Sequence, residues 1–235
     1  RFALYTKGHH ALVDGVGALR MIDALFSTSP DTVIDFRKAR PRAQVHHRRL
    51  SLARQIGEIG GELRKHYAAL PQMSGLLANM GMDALMGKQD VPPLPFTAPR
   101  TLFNTDVDGR RAIIVGELPM VAMHRLAERH GATINDVLLS VCGGALREYL
   151  RGQDALPKQS LEAGVPVSIK GEGEDEGNRV GFMICQLFTD EARPLRRLRR
   201  IVKVTQQAKA DLRKMSRTAV QDYANILMMP TMLLT

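Results

Sequence analysis

Four prolines within ten residues, at positions 92, 93, 95 and 99, interrupt this 235-residue chain and limit where regular structure can run. Each proline removes a backbone donor and fixes φ, so residues 91–100 suit neither a helix interior nor a central strand. The stretch reads as a stiff, extended connector. With the turn signal Asp106-Val107-Asp108-Gly109 that follows, it marks residues 91–110 as a crossover between a first half, 1–90, and a second half, 111–235.

Hydrophobic periodicity fills the two halves with alternating strands and helices. In the first half, residues 2–7 predict a short strand. Ala18, Leu19, Ile22, Leu25 and Phe26 predict a helix over 16–27, followed by an irregular basic segment over 28–45. Leu52, Ile56, Ile59, Leu63, Tyr67 and Leu70 give a helical stripe over 46–70, which Pro71 is expected to end. The Met-rich stretch 74–88 reads either as a core helix or as an adaptable apolar wall suited to an acyl chain. In the second half, Arg111–Val115 predicts a strand. Pro119 suits the first turn of a helix over 119–130, with Gly131 just past its end. Thr133 opens the next helix with Asp136 at the capping-box position, and Leu138, Val141, Cys142, Ala145 and Tyr149 are its expected buried face. Strands are expected over 161–169 and 182–188, on either side of the acidic loop 172–176. A basic helix follows over 192–215, with Leu195, Leu198, Val202, Ala208, Leu212 and Met215 turned inward. Arg193, Arg196, Arg197, Arg199 and Arg200 crowd its other side, expected either as a solvated face or as a surface facing a phosphate-bearing cofactor or lipid headgroups. The apolar residues 226–234 fit core or the lining of a lipid pocket.

The charge balance narrows the partners. Thirty-three Lys and Arg against 24 Asp and Glu give a net charge of +9 and favour anionic partners. Zinc-finger spacing, an RNP-like aromatic strand and a helix-turn-helix are all missing, which disfavours nucleic acid. A phosphate-bearing acyl carrier or a membrane surface fits better. Cys142 and Cys185 both lie in apolar stretches and are expected to be buried free thiols. No apolar run has the length of a transmembrane helix. Arg1–Tyr5 reads as a strand entered in mid-domain, so the chain is expected to be an internal section of a longer protein and inactive by itself.

The residues that carry chemistry are His9-His10-Ala11-Leu12-Val13-Asp14-Gly15. Histidine titrates nearest neutrality and is the default general base at physiological pH. A loop between strand and helix can hold imidazoles at the edge of a cleft. The plain alternative is a strand end turning into a helix, with Asp14 as its cap. His46-His47 is a second pair, but Ser51 and Leu52 stand where Asp and Gly would be needed, and it lies in a basic run expected to be a solvated face. No Ser or Cys sits in a nucleophile motif. A base here would therefore act on the substrate's own hydroxyl or thiol.

His9-His10-x-x-x-Asp14-Gly15 resembles the signature of the acyl-CoA-dependent acyltransferase superfamily, which includes chloramphenicol acetyltransferase and condensation domains. Ala132–Leu139 with Gly144-Ala-Leu-Arg147, then Val165–Lys170, Gly177–Gly181 and Pro194–Leu198, resemble in order and spacing the bacterial wax ester synthase/diacylglycerol acyltransferase family. The family's segment before the His motif and its C-terminal strands have no counterpart here. The resemblance implies a two-domain, chloramphenicol-acetyltransferase-like α/β sandwich of mixed sheets and helices, its first domain incomplete in this chain. The His motif would sit in a tunnel between the halves. It implies O-acyl transfer from acyl-CoA, as co-substrate and with no metal, to a fatty alcohol or a diacylglycerol. His10 would be the general base, with His9 beside it. Asp14 would lock the loop and Gly15 would allow the turn behind it. Asn135 would serve the oxyanion or hold the His loop, with Asp136 in support and Ser168 a weaker oxyanion candidate. Asn178 is expected in a turn. The implied setting is the cytoplasmic face of the inner membrane or lipid inclusions. A condensation-type enzyme using carrier-protein thioesters, and a non-catalytic lipid-binding remnant, are the competing readings.

Overall fold

The computed structural model describes residues 52–106, 108–110, 112–168 and 180–233, with isolated positions between 22 and 31. The chain divides into two compact units, one of Arg1–Arg64 with Ser168–Val180, the other of Lys65–Val167 with Gly181–Thr235. Helix α1 spans Leu52–Leu85, α2 Met120–His130 and α3 Ile134–Gly152. Strands β1, Glu162–Ser168, and β2, Val180–Gln186, pair with each other. Helices α4, Pro194–Lys214, and α5, Arg217–Leu233, complete the second unit. The Leu187 N–H donates to the Leu161 carbonyl at 2.8 Å, so the start of β1 meets the end of β2 and the pair is antiparallel. Ile22, Asp23 and Leu25 are helical, with the Phe26 N–H donating to the Ile22 carbonyl at 3.0 Å; the other positions of the helix expected over 16–27 up to residue 24 lie outside the described residues.

Among the described residues, small apolar clusters hold the second unit. Met123 and Ala127 of α2 pack with Val137 of α3 and with Leu198 and Val202 of α4. Leu150, Leu161 and Leu187 join the end of α3 to the strand pair. Ala69 and Met73 of α1 meet Ala219 of α5. Each fully buried aliphatic side chain contributes about 1.5–3 kcal/mol. The α2–α3 corner follows its sequence signals. Gly131 takes φ 59° to close α2, which costs a residue without Cβ nothing.

Several expectations are corrected. Pro71 does not end its helix: α1 runs through it. Ala69 and Met73, on either side of the proline, are both buried, and Gln72 accepts from the Ser216 N–H at 2.6 Å. These contacts outweigh a mid-helix proline cost of about 3 kcal/mol. Among the described side chains of this helix Ala69, Met73 and Met80 are buried, while Leu63, Tyr67 and Leu70 are exposed. Residues 112–119 are irregular, with no strand among the described residues to pair with them, and Ile114 is 96% exposed.

The buried face of α3 is rotated from the expected one. It consists of Asp136, Val137, Ser140, Gly143 and Leu150, whereas Leu138, Val141, Ala145 and Tyr149 are exposed. A polar cap and a glycine face the core because close helix contact favours small or bonded groups there. Cys142 lies on the exposed side, while Cys185 is buried as expected. On α4, Leu195 is exposed and Arg197 is buried, the reverse of the expected pattern, because Arg197 reaches backbone carbonyls of the preceding loop. The Pro-rich stretch lies within the second unit, with Pro92 and Pro93 buried.

Candidate active site

His9, His10, Asp14 and Gly15 lie outside the described residues, as does Asn178. Ser168 ends β1. The described part of the predicted site is therefore the first turn of α3.

That turn is fixed by a reciprocal cap. Thr133 at the N-cap holds extended backbone (φ −91°, ψ 162°), and its hydroxyl accepts from the Asp136 N–H at 3.2 Å. Asp136 Oδ2 in return accepts from the Thr133 N–H and hydroxyl, both at 2.8 Å. A carboxylate in the first helical turn also meets the positive end of the helix dipole. Asp136 does more than cap. It is 2% exposed, and its Oδ1 accepts from the Thr205 hydroxyl on α4 at 2.7 Å. Both carboxylate oxygens are thus engaged by buried or capping donors, which is what permits a charge to sit in this core.

Asp136 accordingly ties the first turn of α3 to α4. Asn135, its neighbour in the same turn, is exposed. The sequence revealed the capping box but gave no sign of Thr205, which reads as one more residue on a helical stripe.

A second convergence lies one to three turns further along α3. Two consecutive glycines inside a helix each cost about 1 kcal/mol against alanine. Such a pair signals close packing. A Cβ on Gly143 would overlap the Leu187 carbonyl, and one on Gly144 would stand 2.7 Å from Nη1 of Arg197. The loop after β2 is clamped from both helices. Arg147 Nη1 donates to the Thr189 carbonyl at 2.6 Å, and Arg197 donates to the Phe188 carbonyl at 3.3 Å and the Glu191 carbonyl at 2.6 Å. The sequence blocks Gly144–Arg147 and Pro194–Leu198, some 50 residues apart, therefore meet in space. Burial pushes the Arg197 guanidinium below its ordinary pKa, and the like charge of Arg147 adds to this. Arg200 is held above its ordinary value. Burial works against it, but bonds to Asp90 at 2.5 Å and Asp190 at 3.3 Å outweigh burial. The Arg200 guanidinium also lies 4.1 Å over the Phe188 ring.

The buried Cys185 thiol is pushed up to about 12 by burial, with the negative charge of Asp136 adding to the effect. It is not a nucleophile at neutral pH. Among the described residues, no group of three or more His, Cys, Asp or Glu is placed to hold a metal ion, and no helix is long and apolar enough to cross a membrane.

Comparison with known proteins adds to this geometry. Residues 1–138 match the model of the wax ester synthase/diacylglycerol acyltransferase catalytic domain, and residues 176–235 match that of the C-terminal domain of the same enzymes. The chain is 36% identical over 240 aligned positions to a probable diacylglycerol O-acyltransferase of Mycobacterium tuberculosis, covering 97% of this chain and 50% of the relative. A putative diacylglycerol O-acyltransferase of the same organism is 36% identical over 202 residues, 86% of this chain and 44% of its own. Among solved structures, the wax ester synthase/diacylglycerol acyltransferase from Marinobacter aquaeolei VT8 superimposes with a TM-score of 0.56 at 26% identity. That superposition covers 97% of this chain and 46% of the other. The chain spans about half the length of the curated relatives it matches.

Proposed function

Because the chain belongs to the wax ester synthase/diacylglycerol acyltransferase family, we propose that the native protein transfers a long-chain acyl group from acyl-CoA to the hydroxyl of a fatty alcohol or a diacylglycerol. The observation that carries this is the catalytic-domain match over residues 1–138, which contains both His9-His10-x-x-x-Asp14-Gly15 and Asn135-Asp136.

In this mechanism His10 takes the proton from the acceptor hydroxyl as its oxygen attacks the thioester carbonyl. The tetrahedral intermediate collapses, the carbon–sulfur bond breaks, and the imidazolium returns its proton to the departing CoA thiolate. No acyl-enzyme forms, in keeping with the lack of a nucleophile motif. General-base catalysis supplies about 10²–10⁴-fold, so positioning and oxyanion stabilisation supply the remainder. Asn135, exposed on the first turn of α3, is the proposed donor to the carbonyl oxygen as it becomes negative. Asp136 holds that turn still. His9 packs beside the base, Asp14 fixes its loop and Gly15 lets the chain turn behind it.

The division into a first half, 1–90, a crossover, 91–110, and a second half, 111–235, belongs to the same reading. So does peripheral contact with a membrane or lipid inclusion, which the net charge of +9 supports.

The test is thiol release from palmitoyl-CoA by the native protein, with hexadecanol and dipalmitoylglycerol supplied in parallel. Release that requires an alcohol and disappears in His10→Ala is expected. Alcohol-independent release, or full activity in His10→Ala, refutes the mechanism.

A further inference from the structure

A cavity of about 470 Å³ opens between α2, α3 and the start of α4, built wholly from the second unit. Its walls are apolar: Leu126, Val141, Ala145 and Leu195. Its volume is in the range of small-molecule sites. At one end stands Arg197, only 4% exposed.

The guanidinium is unusual for its position. Buried charges are ordinarily paired with an opposite charge. Arg197 donates through Nε and Nη2 to two neutral carbonyls, of Phe188 and Glu191. The Glu191 carboxylate is engaged instead by Arg193 at 3.2 Å and Arg196 at 3.0 Å. No carboxylate among the described residues lies within ion-pair distance of Arg197. Its Nη1 has no hydrogen-bond partner among them, although no fully enclosed side-chain nitrogen or oxygen lacks one. Nη1 therefore reaches accessible space. It does so beside Gly144, which lines the cavity and whose missing side chain leaves the opening.

Pro194, at the first position of the 21-residue helix α4, also lines this end of the cavity, while the Glu191 carboxylate is taken up by the Arg193 N–H at the N-cap at 3.0 Å. The one carboxylate on the wall, Glu148, is paired with Arg151 at 2.6 Å.

We propose that this cavity binds a single-chain anionic lipid, with its carboxylate or phosphate oxygens on Arg197 Nη1 and its hydrocarbon along Leu126, Val141, Ala145 and Leu195. A guanidinium remains cationic at neutral pH, so an anionic head supplies the missing counter-charge, and the apolar walls supply the affinity for a chain. The site does not depend on the acyl-transfer chemistry proposed above, and its test reads binding and not turnover.

The experiment is equilibrium binding at fixed ionic strength of palmitate, 1-palmitoyl lysophosphatidate and methyl palmitate to the wild-type protein and two variants. Methyl palmitate carries the chain without the charge, and the two anionic ligands separate a carboxylate from a phosphate source. Arg197→Gln keeps an amide to serve the carbonyls and removes the charge. Ala145→Trp, at an exposed wall position, fills the cavity while leaving Arg197 in place, so a folding failure of the first variant still leaves a decisive measurement. At least one anionic ligand is expected to bind tenfold or more tightly than methyl palmitate, and to lose roughly tenfold or more in each folded variant. Equal binding of the neutral ester, binding unaffected by Ala145→Trp, or no binding of either anion overturns the proposal.

Discussion

Replacing Thr205 by valine removes one hydroxyl from the centre of the α3–α4 contact and tests whether Asp136 is a positioning residue. Thr205 is 0% exposed, and its hydroxyl donates to Asp136 Oδ1 at 2.7 Å. Valine keeps the branched shape but leaves a buried carboxylate oxygen with one donor fewer. A hydrogen bond to a charged group contributes about 1.5–3 kcal/mol, and that is the expected loss. For a chain of this size a kilocalorie shifts the melting temperature by about 2–4 °C, so the expected fall is about 3–12 °C. Urea denaturation with an unchanged m-value reads the same loss as a shift in midpoint. A double-mutant cycle with Asp136→Ala separates the pair from its surroundings, because neither single variant adds a new contact. A coupling of about 1–2 kcal/mol is expected between residues in direct contact. A loss under about 0.5 kcal/mol for Thr205→Val, or additive effects in the cycle, refutes the assignment.

Four further outcomes are expected. Asn135→Ala, at an exposed position, should leave stability within about 0.5 kcal/mol but lower kcat by about 10–10³-fold; an unchanged kcat in the thiol-release assay removes Asn135 from the oxyanion role. Gly143→Ala should destabilise by about 1–3 kcal/mol in urea melts, since its Cβ would meet the Leu187 backbone carbonyl. Pro71→Ala should stabilise by about 1–2 kcal/mol, because a mid-helix proline costs about 3 and its restriction of the unfolded chain returns about 1; a lower denaturation midpoint would mean that α1 does not run through this position. With a thiol reagent at pH 8 on the native protein, read by mass spectrometry of the labelled peptides, Cys142 should react fast, while Cys185, pushed up to about 12 by burial, should react only on unfolding.

Local signals carried most of what the sequence revealed. Pro119 and Gly131 bracket α2, and Thr133 with Asp136 opens α3, because caps depend on a few adjacent residues. The antiparallel strands and the basic helix α4 likewise follow their periodicity. The failures share a different origin. Periodicity gives an apolar stripe but not which stripe finds a neighbour, so α3 is rotated: Val137, Ser140 and Gly143 face the core while Leu138, Val141 and Tyr149 do not. Pro71 was overridden by contacts more than 140 residues away, with Ser216 and Ala219. Ile113, Ile114 and Val115 have strand composition, but a strand needs a partner, and none among the described residues pairs with them. Arg197 looked like a solvated charge until the loop after β2 placed two carbonyls within its reach.

The adjacent residues Asn135 and Asp136 show how one turn can hold a group still and present another. In the first turn of a helix, successive side chains point about 100° apart, so one can face the neighbouring helix while the next faces outward. Asp136 takes the inward position, where three donors fix its carboxylate. Those bonds pin the backbone of the turn at the N-cap and at Thr205 on α4. Asn135 inherits that rigidity through its own backbone and keeps its amide unburied. An oxyanion donor needs this combination, because preorganised dipoles stabilise developing charge without reorganising at the moment of reaction. If the pair works this way, Asp136→Ala should lower kcat through Asn135 and give almost no further loss when Asn135 is already alanine. Full additivity of the two kinetic defects would show instead that Asp136 supports the protein without positioning its neighbour.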